Sequence, residues 1–535
     1  MLEDIADQLD LLAAQKQAAV SSDLLPPRED DRVAGELGKR FAEHLRKELE
    51  DSKYVPDSAS FVQVPKPGFT SRPAALLTLT DRVIYEALVA LLRLKLGKYL
   101  LPDDVVLWPR EEYLPKRWTD FERAPLASSE DFIVQADVSG FYDSIDHEHL
   151  ESLLVYATGE RKVARAIRGF LSGVMSSRRG VPQGLLPSDT LATAFLQPID
   201  AALIREGFEY YRHGDDIRVA APTVSRAREA IALLEIQLRE LGLLINGAKC
   251  AIIKRADYES ELAVGDALME STREKLLARR IRRLRENEEV LIQAMEEADL
   301  DSQIGWELFY HGTIAIEDVI ELLREHLEPN DVEIARQVFL ETIIRAPGKP
   351  GALAPEQFHQ QLTRSVVRLA AGRSPAALGH SASIIARFPD KTELVANYLS
   401  AMQGSQARLA VRQAEDVLLT EDLFTTPWQH AWLCRVLASG SRFIRKEMLG
   451  RLAIIAGDEG AHWLSRVEAM KVLGCAGHLE RDLVTRSWRL APRPYRVDLI
   501  AAAASMRTDH KWARQFLTAA RQDPVEAVVV NHVTG

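Results

Sequence analysis

The sequence predicts an α+β domain followed by an all-helical one, on three observations. From Asp131 to about Ile253, runs suited to buried strands alternate with amphipathic helical runs. Within that region "FEYYRHGDDIRVAA" reads as a hairpin whose tip carries two adjacent carboxylates, Asp215 and Asp216, after a glycine. After about residue 265 strand signals fade and helical runs continue to the end. Three segments are expected: N-terminal helices over residues 1–55, an α+β domain over 56–262, and a helical domain over 263–535.

Taken in order, "LEDIADQLDLLAAQKQAAV" and "RVAGELGKRFAEHLRKELE" are helices separated by the breaker "SSDLLPPRED". "FVQVPKPGFTSRPAALL" places strand-like pieces around a Lys-Pro-Gly turn, and a helix starts near Thr80. "FIVQADV" is a buried-strand run, "IDHEHLESLLVYA", "LATAFLQPIDAALIREG" and "RAREAIALLEIQLRELG" are helices, and "CAIIK" is a strand. Further on, "SRVEAMKVLGCAG" and "YRVDLIAAAASM" share an Arg-Val-acid start, and "WLCRVLASG" is similar to the first. Each reads as one helix of a stacked pair, so the C-terminal part is expected to be a HEAT-like helical repeat.

With 535 residues the chain can build more than one core. Its 47% hydrophobic and 27% charged residues describe an ordinary globular protein. The longest apolar run is cut by Glu86 and Arg93, so no membrane span is expected, and the acidic start "MLEDIADQLDLL" argues for a cytoplasmic protein. Cys250, Cys434 and Cys475 have no CxxC partner and read as small apolar side chains. A net charge of −11 excludes a protein that coats nucleic acid over its whole surface, but not a basic groove on an acidic body.

Four pieces carry chemistry. Asp137 ends the strand "FIVQADV", where its carboxylate projects from the strand end. Carboxylates gathered there can hold a metal pair that aligns an attacking oxygen and stabilises leaving pyrophosphate. Singly, Asp137 can instead cap the following helix, and turn aspartates can simply face solvent. In "RRGVPQGLLPSDTLATAFL" two glycines bracket Pro182 and Gln183 and let the backbone be approached closely, while Ser188 opens a helix. In "LGLLINGAKCAII", Lys249 follows a helix that ends at Gly242.

In this order and spacing the pieces resemble the reverse transcriptases over roughly residues 60–255. "ADVSGFYDSID" is similar to their motif A, "GVPQGLLPSDTLA" to motif B, "HGDDI" to motif C and "LGLLINGAKC" to motif D. The resemblance implies polymerase fingers and palm of the right-hand type. It implies Asp137 and Asp215 as principal metal ligands for Mg²⁺ or Mn²⁺, Asp216 as the adjacent acid, and Lys249 as proton donor to pyrophosphate. It also implies a nucleotide site lined by Lys66, Arg72, Gln183 and Gly184, where an arginine fork suits phosphate geometry. RNA-making palms usually place a second acid five residues after the first motif A aspartate; Tyr142 stands there and would clash with a ribose 2′-hydroxyl. Packing beside Phe141 is its plainer role. Two positions depart from the pattern: His213 replaces an aromatic, and Asp189 follows Ser188 where proline is usual.

A palm followed by helices resembles the bacterial abortive-infection and defence-associated reverse transcriptases. That implies antiphage defence, DNA made from dNTPs with or without a template, priming from a protein hydroxyl, homo-oligomers, and in some members a noncoding RNA. Tyr54, Tyr310, Tyr398 and Tyr495 are the tyrosines weighed for priming. In "REKLLARRIRRLREN" a Leu277, Ile281 and Leu284 stripe leaves Arg279, Arg280, Arg282 and Arg283 to track phosphates, unless nearby acids pair with them. "RKVARAIRGF", with Arg161, Lys162, Arg165 and Arg168, is a lesser case. The competing readings are a templated retron- or intron-type enzyme, and a nucleic-acid-binding scaffold or toxin with a vestigial palm.

Overall fold

The structure, a computed structural model, describes residues 2–20, 22–68, 70–100, 116–300, 315–345, 353–420, 423–506, 510–521 and 523–534. The chain divides into two compact units. One comprises residues 1–259, 388–390 and 414–535, the other 260–387 and 391–413. Contacts therefore do not follow the three consecutive segments anticipated from sequence. The N-terminal helices and the last 122 residues belong to the same unit as the α+β region.

The first unit begins with α1 (Leu11–Gln17), whose first turn is capped where Asp10 accepts from the Ala13 amide at 2.9 Å. An antiparallel ribbon follows, β1 (Ser60–Pro65) with β2 (Ser71–Leu76), pairing Val64 with Arg72. Next comes α2 (Leu79–Tyr99). It starts before Thr80, with Thr78 as the cap, because the Thr78 hydroxyl accepts from the Asp81 amide at 3.1 Å.

The main sheet is antiparallel in the order β4-β5-β3-β6, formed by β3 (Phe132–Asp137), β4 (Glu209–His213), β5 (Asp216–Ala221) and β6 (Ala251–Lys254). Strands β3 and β5 are almost wholly buried, as their Ile, Val and Ala runs require. Helix α3 (Leu186–Arg205) packs on β4 and α2, and α4 (Val224–Glu240) covers β3 and β5. The α+β expectation is met.

A 32-residue helix, α5 (Arg255–Glu286), follows β6. In the second unit its Leu277, Ile281 and Leu284 stripe packs into a cluster with Leu291, Met295, Val319, Ile320 and Leu323. The apolar periodicity was therefore a core face.

The C-terminal part of the first unit contains α6 (Pro427–Ser439), α7 (Trp463–Ala476), α8 (Arg496–Ala504) and α9 (Pro524–Thr534). Each packs on the next in that order, so the three similar sequence stretches lie on three successively packed helices. The α7 and α8 backbones meet at Gly474, where a Cβ would lie 3.0 Å from the Ala502 carbonyl. These helices also hold the N-terminal region and the ribbon. Trp428 Nε1 donates to the Leu24 carbonyl at 2.7 Å, Tyr495 bonds Ser60 at 2.7 Å, and α6 packs on β1. Among the described residues no helix is long and apolar enough to cross a membrane.

Candidate active site

The site is built at the end of β3 and the tip of the β4–β5 hairpin. The hairpin loop is Gly214-Asp215, with His213 paired to Asp216 and Gly214 at φ +61°, a conformation that costs glycine nothing. In the neighbouring ladder Asp137 pairs with Asp216, so strand register itself brings the motif A and motif C acids together. The turn is braced from behind by Arg212. Its guanidinium donates to the Gly214 carbonyl at 2.9 Å and forms a fully buried ion pair with Asp200 of α3 at 2.5 Å, and Tyr210 donates to the same carboxylate.

Lys249 and Asn246 reach Asp137 from the segment before β6. Lys249 Nζ donates to Asp137 Oδ1 and Asn246 Nδ2 to Oδ2, each at 2.9 Å, while the Asn246 amide bonds the Asp137 carbonyl at 2.7 Å. Asp137 is therefore bonded to Lys249 and Asn246 and is not the cap of the next long helix. The cap of the next long helix is Asp146, which accepts from the Glu148 and His149 amides.

The electrostatics are those of crowded, desolvated carboxylates. Burial, then repulsion from Asp137, raises the Asp215 pKa. Burial, then Asp215, pushes Asp216 up to about 7, with Arg218 opposing. Burial and then Arg72 hold Lys66 below the usual lysine range, against the pull of Asp215 and Asp137. Lys66, between β1 and β2, thus acts on the palm carboxylates. Burial lowers the Lys249 pKa, but its hydrogen bond and attraction to Asp137 outweigh this and leave it raised. Such a surplus of buried negative charge suits divalent cations. Among the described residues no group of three or more His, Cys, Asp or Glu is arranged to hold a metal ion by itself.

Tyr142 and the segment before α3 form the adjoining wall. The Val181 amide donates to the Tyr142 carbonyl at 2.9 Å, and the Tyr142 hydroxyl to Asp189 Oδ1 at 2.6 Å. Gly180 and Gly184 take φ values of +88° and +94°, so the two glycines do mark unusual backbone. The Gln183 carbonyl accepts from the Ala75 amide of β2 at 3.4 Å. The close approach that Gly184 permits is taken by the chain itself: the Asp23 amide donates to its carbonyl at 3.0 Å. His213 packs edge-on to Trp118, with ring centroids 5.4 Å apart, and lies 5.8 Å from Phe121, whose ring also carries Arg218.

Other expected residues are placed elsewhere or paired. Arg280 bonds Glu333 and the Leu327 and Glu328 carbonyls, Arg282 pairs with Glu286, and Arg279 lies 3.6 Å from Glu341, while Arg283 is exposed. The basic face of α5 is thus largely matched by acids, the alternative its sequence had left open. Arg168 likewise pairs with Glu151 and Glu148. Of the tyrosines weighed for priming, Tyr54 donates to Asp81, Tyr398 to the Ser374 carbonyl, and Tyr495 is bonded to Ser60; Tyr310 lies outside the described residues. Sequence reasoning missed Asp23, Asn246, Asp200 and Arg212. Of these only Arg212 had a local signal, in the short strand that leads to the turn.

Residues 64–272 match the reverse transcriptase (RNA-dependent DNA polymerase) family. Among solved structures, telomerase from Candida albicans in complex with a TWJ fragment of telomeric RNA is similar at 10% identity. That likeness covers 68% of this chain and 67% of that one at a TM-score of 0.31, a level that assigns no function. No curated protein matches the chain. The converging carboxylates, the order of their motifs and the family match make residues 64–272 a reverse transcriptase domain, and the enzyme an RNA-directed DNA polymerase.

Proposed function

We propose that the chain makes DNA from deoxynucleoside triphosphates at the Asp137, Asp215 and Asp216 cluster, in bacterial antiphage defence of the abortive-infection kind. The observation that carries the chemical part is the pairing of Asp137 with Asp216 in the ladder, with Lys249 on the Asp137 carboxylate. Magnesium, held by Asp137 and Asp215, would supply charge neutralisation at the triphosphate and activation of the attacking hydroxyl. The chain's own residues do the rest. Arg72 and Lys66 bind and orient phosphates from the ribbon. Tyr142 excludes a ribose 2′-hydroxyl by volume. Lys249 delivers a proton to the departing pyrophosphate; once parted from Asp137 it loses the partner that raises its pKa and becomes the better acid.

The defence role, cytoplasmic location, self-association, an RNA partner and protein priming rest on the motif resemblance. Tyr54, Tyr398 and Tyr495 have hydroxyls engaged within the fold, so a priming hydroxyl among them must first be released. The test is incubation of purified protein with Mg²⁺ and each labelled deoxynucleotide, without template or primer, followed by denaturing gels before and after protease. Label that travels with protein and is freed by protease supports protein-primed synthesis. Label only with added RNA and primer makes the enzyme a conventional templated one. Absence of label under both conditions refutes the polymerase reading.

A further inference from the structure

Asp189 occupies a position where the motif usually has proline, and the structure gives it a partner in the site. Its Oδ1 accepts the Tyr142 hydroxyl proton at 2.6 Å, from the first turn of α3. Tyr142 is held at its other end, where the Val181 amide meets its carbonyl at 2.9 Å. A tyrosine ring has two soft dihedrals, and a bond at the hydroxyl removes the freedom that backbone bonds leave. Exclusion by volume works only while the ring stays in place.

We infer that Asp189 is a positioning residue for sugar selection, setting how strictly Tyr142 excludes a ribose from the nucleotide pocket. This rests on the polymerase reading above. The measurement is kcat/KM for a deoxynucleotide and its ribonucleotide in the full-length wild type and its variants. Asp189→Ala and Tyr142→Phe are each expected to lower the preference for deoxynucleotide about 3- to 10-fold, the worth of one hydrogen bond, with no further loss in the double variant. Asp189→Asn keeps an acceptor and retains most of the preference. An unchanged preference in Asp189→Ala, alongside a fall in Tyr142→Val, overturns the inference and leaves the gate. An unchanged preference in Tyr142→Val overturns the gate as well, and no incorporation by wild type overturns the polymerase reading.

A separate observation concerns Ser22–Leu25. A Cβ on Gly184 would collide with Ser22 Oγ and fall 2.9 Å from Asp23 Oδ1. This loop is anchored: Ser22 Oγ accepts from the Leu24 amide at 3.1 Å, the Leu24 carbonyl accepts from Trp428, and the Pro27 carbonyl accepts from Arg435 at 2.8 Å. Just beyond, Arg28 is buried against Asp498 at 2.9 Å. Burial among these neighbours raises the Asp23 pKa and attraction to Arg72 opposes it, although the residue keeps exposed surface.

We propose that Ser22–Leu25 is an internal occupant of the nucleotide pocket, whose Asp23 competes with the incoming triphosphate for Arg72 and which the Trp428 bond holds in place. Asp23→Ala, and Trp428→Phe, which keeps a ring but loses the donor, are expected to lower the KM for deoxynucleotide about 3- to 10-fold. In wild type, saturating deoxynucleotide is expected to speed amide exchange over residues 22–25. A KM that rises or stays unchanged in Asp23→Ala, with exchange unaffected by nucleotide, makes the loop a fixed wall and overturns the proposal. Wild-type incorporation in the same assay separates that outcome from failure of the polymerase reading.

Discussion

Replacing Lys249 by alanine should tighten Mg²⁺ binding while it slows turnover. The lysine Nζ lies 2.9 Å from Asp137 Oδ1; its side chain is 62% exposed and that of Asp137 is 9% exposed. A pair with one partner largely in water is worth about 0.5–1 kcal/mol. A cation that takes the same oxygen must first separate them, so removal of the lysine should lower the half-saturating Mg²⁺ concentration about 2- to 5-fold. Turnover should fall on the order of 10²-fold, since a positioned acid is lost. Lys249 also lowers the pKa values of Asp215 and Asp216, so its loss favours protons over metal near neutrality. The comparison therefore belongs at about pH 8.5, above the range in which Asp216 titrates. The assays are Mg²⁺ titration of single-nucleotide extension and the Mg²⁺ dependence of the thermal midpoint, which needs no turnover. Half-saturation that is unchanged or higher, with turnover intact, would refute both the competition and the acid role.

The remaining expectations concern the same framework. Asp215→Ala should reduce incorporation on the order of 10³-fold with the thermal midpoint preserved or raised, because a repelled, buried carboxylate is removed; near-normal incorporation would refute the metal role of Asp215, and a full biological effect without incorporation would point to the vestigial-palm reading. With Asp216 at about 7, protons compete with metal below neutrality, so the Mg²⁺ requirement should fall as pH rises from 6 through 8, and Asp216→Asn should flatten that profile. Asp200→Ala leaves Arg212 buried without its carboxylate and should cost about 3–5 kcal/mol in urea denaturation while loosening the Gly214 turn. Asp81 has its pKa raised to about 6, by burial, from a usual value near 4. The fold thus holds that proton more tightly than the unfolded chain, so its contribution to stability is fully present below about pH 4 and lost as pH rises through about 6. The loss is about 3 kcal/mol, and Asp81→Asn should remove that slope from pH-dependent melts.

What could be read from the sequence was local chemistry. Glycine before two aspartates between strand-forming residues specifies a two-residue hairpin, and the hairpin is there. The Leu277, Ile281 and Leu284 stripe at helical spacing specified one face of α5, and that face is core. The arginines opposite it were ambiguous, because their partners Glu333, Glu341 and Glu317 lie far along the chain and a one-signed run gives no hint of them. The helix start was displaced by two residues because Thr78 and Thr80 are both competent caps, and only the position of the Asp81 amide selects between them.

The larger omission was the role of the C-terminal helices, and its cause is physical. A helix that buries one face against another helix and one that buries it against a β-ribbon carry the same apolar period. Nothing in "WQHAWLCRVLAS" tells that Trp428 will donate to the Leu24 carbonyl, or that α6 will pack on β1. Yet these contacts give the helices a place in the polymerase unit. The ribbon that carries Lys66 and Arg72 is held through Ser60 to Tyr495 and through the Phe61 carbonyl to His462, and the loop beside Gly184 is held by Trp428 and Arg435. A strand pair standing alone is marginally stable. The ribbon's cations therefore owe their position to residues more than 350 positions further along, and truncation before α6 should remove nucleotide binding even with every motif intact.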